Sequence, residues 1–134
     1  MSRLVVVTGG AGGIGRATAA RFAALGDDVL APGRADLDVT DEASVAAFFE
    51  RAGAVDVLVN NAGMGESAPL TRTTLASWRA HIDVNATGAF LCTRAVAEGM
   101  RERGRGAIVT VASTAGQAGA PYTAAYSAAK HAAL

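Results

Sequence analysis

Four short apolar runs recur along this chain, each closing on small or polar residues, with Ala-rich amphipathic stretches between them. Leu4–Val7, Asp28–Ala31, Asp56–Asn60 and the Ala-Ile-Val-Thr-Val centre of 106–112 read as strands. Continuous β-branched runs of this length, bounded by Gly, Pro or Asn, suit a sheet covered on both faces. The stretches between them read as helices. One follows the glycine turn to about Leu25, and one is capped by Thr40 or Asp41 and runs to about Arg51. A long one runs from about Thr73 to Arg103 with a bend near 83–88, and a last one carries Tyr126 and Lys130. Alternating strands and helices predict an α/β fold, a doubly wound parallel sheet in one domain over residues 1–134. Too few residues separate the second strand from Leu37 for a parallel crossover, so a third strand there is expected to be very short or missing. Trp78, Ile82, Phe90, Cys92 and Val96 fall where the core is expected.

Composition narrows the function classes. The formal net charge is zero and no basic run occurs, which argues against a nucleic acid or an anionic membrane surface as partner. The apolar run near the start is too short for a leader, and no stretch approaches the ~18 apolar residues of a membrane helix, so the expected location is cytoplasmic. A single cysteine, Cys92, excludes an internal disulfide and a cysteine-based zinc cage, and no metal is expected.

Chemistry concentrates at the ends of the strands. The turn Thr8-Gly9-Gly10-Ala11-Gly12-Gly13-Ile14-Gly15 sits between a strand and a helix. There, backbone N–H groups and the helix dipole favour a phosphate, and glycine lets the pyrophosphate approach. The same glycines also serve where a helix merely packs closely on a strand. Arg34, just past the second strand, suits the 2′-phosphate of NADP, whereas Asp36 would favour the free ribose of NAD; the reading leans towards NADP. Asn60-Asn61-Ala62-Gly63 closes another strand, at an edge where open α/β sheets bind ligands, and it also reads as a simple turn. Asn85 interrupts an apolar helical pattern, and a mid-helix Asn is ordinarily solvated or bonded to backbone. Ser113 follows the last strand, where a hydroxyl is ordinarily a turn or cap residue.

Tyr126 and Lys130 stand at i and i+4 of an Ala-rich stretch, so they share one helix face. A fixed ammonium beside a phenol favours the phenolate and equips the tyrosine to exchange a proton with an alcohol or carbonyl. An isolated pair of this kind is usually an aromatic ring packed on a Lys stem. Here eleven of the twelve basic residues are Arg, and Lys130 is the one lysine. A compact ammonium, which Arg's planar fork does not replace, is evidently wanted at that position.

Thr-Gly-x-x-x-Gly-Ile-Gly at 8–15, Asn-Asn-Ala-Gly at 60–63, Asn85, Ser113 and the Tyr126/Lys130 pair together resemble the short-chain dehydrogenase/reductase family in its classical branch. Ser113 precedes Tyr126 by thirteen residues, the separation typical of that family. The resemblance implies a Rossmann-type fold and an NAD(P)-dependent oxidoreductase that interconverts a carbonyl and a secondary alcohol on a small-molecule substrate. It implies Tyr126 as general acid or base and Lys130 as the holder of the nicotinamide ribose. Ser113 would bond the substrate oxygen, and Asn85 would help hold a water in the proton relay. Cofactor would lie over Gly9, Gly10, Ala11, Gly12, Gly13, Ile14 and Gly15, with Asp38 and Val39 at the adenine and Asn61, Ala62 and Gly63 along the ribose. Family members usually continue for about another hundred residues beyond the Tyr/Lys helix, so the domain is expected to be incomplete at its C-terminal end, with an unpaired sheet edge. A homo-oligomer is expected of the full-length chain. The competing reading is a non-catalytic dinucleotide-binding module. A serine hydrolase built on Ser113 is disfavoured, since no nucleophile-elbow pattern surrounds it and no motif brings His81 or His131 to it.

Overall fold

A computed structural model describes residues 2–134; Met1 lies outside the described residues. Four strands, β1 (Leu4–Val7), β2 (Asp28–Leu30), β3 (Val57–Asn60) and β4 (Ala107–Thr110), form one parallel sheet in the order β2-β1-β3-β4. Register is regular: Val5 pairs with Val29 on one side and Val57 on the other, and Leu58 pairs with Ile108. Among the described residues five α-helices accompany it: α1 (Gly13–Ala24), α2 (Glu42–Ala52), α3 (Leu75–Ile82), α4 (Gly88–Arg103) and α5 (Ala124–Ala133).

The side-chain alternation of β1 and β3 builds two cores, one on each face. Val6 and Leu58 point into the larger, against Val45, Phe48 and Phe49 of α2 and Leu91, Cys92 and Val96 of α4. Val5, Val7, Val57 and Val59 fill the other, where Ala19 and Phe22 of α1 cover them. Both faces of the central strands are therefore dry, which is why these strands are apolar at every position up to Asn60. α2 and α4 are joined mainly by this apolar packing. The Arg94–Glu42 pair between them, at 2.6 Å, is exposed at both ends and contributes at most about 1 kcal/mol.

Several expectations are refined. The segment after β2 forms no strand, as its length requires, but Leu37 and Val39 still bury in the larger core. Asp41 is the cap of α2, accepting from the Ala43 N–H at 3.0 Å. The long helical region divides at a wide π-turn, Asp83–Thr87, between α3 and α4. Trp78 and Phe90, expected in the core, are 41% and 57% exposed, and Ile82 is half-buried. The sheet takes its contacts with α4 from Leu91, Cys92, Val96 and Met100, and Phe90 lies on the outer face under the Arg94 guanidinium, 5.2 Å from its ring centre. β4 pairs with β3 alone among the described residues, and Ile108 and Val109 are 38% and 51% exposed. No helix among the described residues is long and apolar enough to cross a membrane.

Candidate active site

The carboxyl ends of β1 and β3 are tied together by Thr8, which is buried. Its hydroxyl donates towards the Val59 carbonyl at 3.5 Å and accepts from the Asn61 and Ala62 N–H groups at 3.0 and 2.9 Å. Asn61 completes the tie, its amide donating to the Thr8 and Gly9 carbonyls at 3.0 and 3.3 Å. This makes one rigid corner of two chain segments some fifty residues apart.

At Gly10 and Gly15 the glycine turn packs into that corner too tightly for side chains, whereas Gly12 and Gly13 stand open. A Cβ on Gly10 would lie 2.6 Å from the Ala31 side chain, and one on Gly15 would lie 2.6 Å from the Asn61 amide nitrogen. Gly12 caps α1 without a side-chain bond, and no acidic residue occupies the first turn, so the positive end of the helix dipole is left uncompensated.

Beside the turn, a cavity of about 200 Å³ is bounded by Gly9, Arg34, Asp38, Val39, Ala62 and Gly63. The Asp38 carboxyl is held below the usual carboxylate range by bonds from the Thr40 hydroxyl at 2.6 Å and the Thr40 amide at 3.0 Å, with the Arg34 charge adding to the effect. Arg34 faces this space, and Asp36 is exposed outside its lining.

A second cavity, of about 290 Å³, is lined by Ile14, Asn61, Asn85, Ser113, Tyr126 and Lys130 among others. It shares Gly63 and Met64 with the first, so the two adjoin. All four residues singled out for catalysis thus meet on one cleft. Tyr126 and Lys130 reach it from the same face of α5, as their spacing predicts. Lys130 is 7% exposed; its ammonium donates to the Val111 carbonyl at 3.1 Å and stands 5.8 Å from the Tyr126 ring centre. Ser113 accepts from the Ala115 N–H at 3.2 Å, and Ser127 of α5 donates to the Ala115 carbonyl at 2.6 Å, docking this turn on the helix. Of the glycine turn only Gly9 and Ile14 line these cavities; Gly10, Ala11, Gly12, Gly13 and Gly15 line neither.

Asn85 lies within the π-turn, 3% exposed, and every bond its amide makes is to backbone. Oδ1 accepts from Met64 N–H at 3.2 Å, and Nδ2 donates to the Met64 and His81 carbonyls at 2.9 and 3.1 Å. It clamps the segment that follows Gly63.

Sequence reasoning reads Thr8 only as part of the glycine-turn motif and His81 only as a poor partner for Ser113, and it does not single out Met64 or Gly65, although each shapes the site. Thr8 carried one signal, a hydroxyl closing an otherwise apolar strand. Neither histidine is bonded to Ser113: His81 bonds Ser77 and Glu66, and His131 bonds Ser127. No group of three potential metal ligands occurs among the described residues.

A parallel sheet with helices on both faces and a glycine turn after its first strand is a Rossmann-type domain. The short chain dehydrogenase family model matches residues 33–134. The chain is 42% identical to cis-4-hydroxycyclohexanecarboxylate dehydrogenase of Sinomonas cyclohexanicum, over 96% of this chain and 61% of that protein. Its structure matches a short-chain dehydrogenase from Streptomyces avermitilis with a TM-score of 0.93 at 34% identity, covering 98% of this chain and 57% of the other. It also matches ElxO with NADP bound, with a TM-score of 0.92 at 32% identity, covering 98% and 64% of the two chains. This chain belongs to the short-chain dehydrogenase family of oxidoreductases, which use NAD or NADP. It spans 57–64% of the length of these three relatives.

Proposed function

We propose that this chain carries the cofactor cradle and the proton-transfer residues of an NADP-preferring oxidoreductase that interconverts a carbonyl and a secondary alcohol. The observation that carries the reading is the convergence of Asn85, Ser113, Tyr126 and Lys130 on one cleft that adjoins the cavity beside the glycine turn. The residues present suit a nicotinamide dinucleotide. The N-terminal turn of α1 is open at Gly12 and Gly13, where an added Cβ would meet nothing but the Gly9 carbonyl, so a pyrophosphate could approach the helix N–H groups there. Arg34 gives the adenine end a cation, and Lys130 brings three donors of which Val111 takes one. Val39 and Asp38 would wall the adenine, and Asn61, Ala62 and Gly63 the ribose side.

When bound, the cofactor supplies or accepts the hydride. This chain's own residues do the rest. Ser113 accepts the Ala115 N–H, which leaves its hydroxyl proton to donate to the substrate oxygen and fix that oxygen in the cleft. Tyr126 gives a proton to the oxygen of a reduced carbonyl, or takes one from an alcohol. Lys130 places a buried positive charge beside that phenol and donates to the ribose hydroxyls. Asn85 spends both amide protons and one acceptor site on Met64 and His81, so it sets the wall after Gly63.

The test is Tyr126→Phe in the full natural polypeptide, with NADPH and a panel of small carbonyl compounds. Turnover should fall about 10²- to 10⁴-fold, the usual weight of a general acid or base, with NADPH binding retained. Turnover equal to that of the parent would sink the catalytic reading and favour a non-catalytic dinucleotide-binding module.

A further inference from the structure

His81 is completely buried, which suits an imidazole only when both ring nitrogens are satisfied. Nδ1 lies 2.7 Å from the Ser77 carbonyl oxygen, which can only accept, so Nδ1 carries the proton. Nε2 is then an acceptor, and it takes the Glu66 N–H at 3.0 Å. Ser77 is one turn back on α3, whereas Glu66 belongs to the loop after β3, fifteen residues away in sequence. His81 therefore ties that loop to the helix.

The tie has a target. Met64 is held through both its N–H and its carbonyl by Asn85, which also donates to the His81 carbonyl. Between these anchors lies Gly65, where a Cβ would stand only 3.4 Å from two ring carbons of Tyr126. The His81 ring meets the same tyrosine edge-on, with ring centres 6.4 Å apart and planes at 66°. The phenol ring thus has the Gly65 backbone and the His81 imidazole as neighbours, and both belong to one hydrogen-bonded unit.

We propose that His81 is a positioning residue for Tyr126: its neutral imidazole, protonated at Nδ1, clamps the Glu66 amide and so holds residues 64–66 and the phenol in register with the cleft. This rests on the reading of Tyr126 as the proton-transfer group. The rival account is that His81 only fills space. The two differ in what a substitute must supply. Leu fills the volume but offers no acceptor to the Glu66 N–H, whereas the Gln side-chain oxygen reaches about where Nε2 stands.

The experiment compares His81→Leu and His81→Gln in the full natural polypeptide, reading kcat, NADPH Kd and hydrogen exchange of the Glu66 amide, together with the ¹⁵N-histidine spectrum of the parent. For Leu, kcat should fall about tenfold to a hundredfold, since a 1 Å misplacement costs on the order of 10²-fold, with NADPH Kd unchanged and Glu66 exchange accelerated. Gln should recover most of the kcat and the protection. Equal losses in both variants, parental kcat in Leu, or unchanged Glu66 exchange in Leu each overturn the proposal. Should neither variant fold, the parent spectrum decides, because a proton on Nε2 excludes the clamp and one on Nδ1 supports it. Failure of the catalytic reading is seen separately, as indifference of turnover to Tyr126→Phe.

Discussion

The proposed preference for NADP turns on a single side chain, Arg34. It borders the cavity next to the glycine turn, and the acidic alternative, Asp36, stands outside that lining. A guanidinium bonds a phosphate through two parallel N–H groups, and hydrogen bonds to charged groups contribute about 1.5–3 kcal/mol each. Arg34→Ala should weaken NADPH about tenfold to a hundredfold and leave NADH within about twofold; fluorescence titration with both cofactors checks it. Equal weakening of the two would assign Arg34 to shaping the cavity. At this scale the positions the sequence marked, and which the structure brings to the cleft or the turn beside it, carry a charge or lack a side chain: Arg34, Gly10, Gly15 and Lys130. The ties made by Thr8 and His81 were not legible, because they are made to partners away along the chain, Asn61 for one and Glu66 for the other. A hydroxyl or imidazole gives no periodic signal of such a partner.

Among elements, the segment 37–41 most departs from a regular part. It has no strand to lock it, and it is shaped instead by Asp38, which binds the Thr40 hydroxyl and amide while its own N–H donates to the Ser44 hydroxyl. Those bonds lower the Asp38 pKa in the folded protein, so the stabilisation is fully present above the ordinary carboxylate value near ~4 and is lost as pH falls through the lowered value. Asp38→Asn should therefore be less stable than the parent in urea at pH 7, with the gap closing below about pH 4. A gap that persisted in acid would show that the Asn disturbs packing. Strands and most helix positions were legible because β-branched runs and Ala-rich periodicity report local geometry directly. The π-turn was visible only as a bend near 83–88, since one extra residue in a turn shifts the helical phase without leaving a composition mark. Trp78 and Phe90 stand on the outer faces of their helices, and which face packs is not decided by periodicity alone.

Over the whole molecule, two dry layers flank the sheet, and Cys92 sits at the centre of the larger, with no exposed surface. Burial pushes its thiol up to about 12, so it remains a protonated, unreactive thiol at neutral pH while the layers are closed. Labelling with a thiol reagent at pH 7.5 should proceed no faster than global unfolding and should accelerate in step with urea denaturation. Fast labelling of the native protein would mean that α4 opens locally. The parallel sheet covered on both faces followed from the alternation of runs along the chain, whereas the strand order and the exposed face of β4 are properties of the assembled sheet and have no signature in any single run.

The scarcity of lysine on this stretch carries a practical consequence. Lys130 is its single ε-amine, and that amine is buried at the mouth of the cleft with the Val111 carbonyl as its partner. Acylation by an amine-selective probe, followed on the peptide that contains Lys130, becomes a site-specific meter of cleft opening that needs no engineered tag. Bound cofactor would register as slowed acylation, whether or not a substrate has been found.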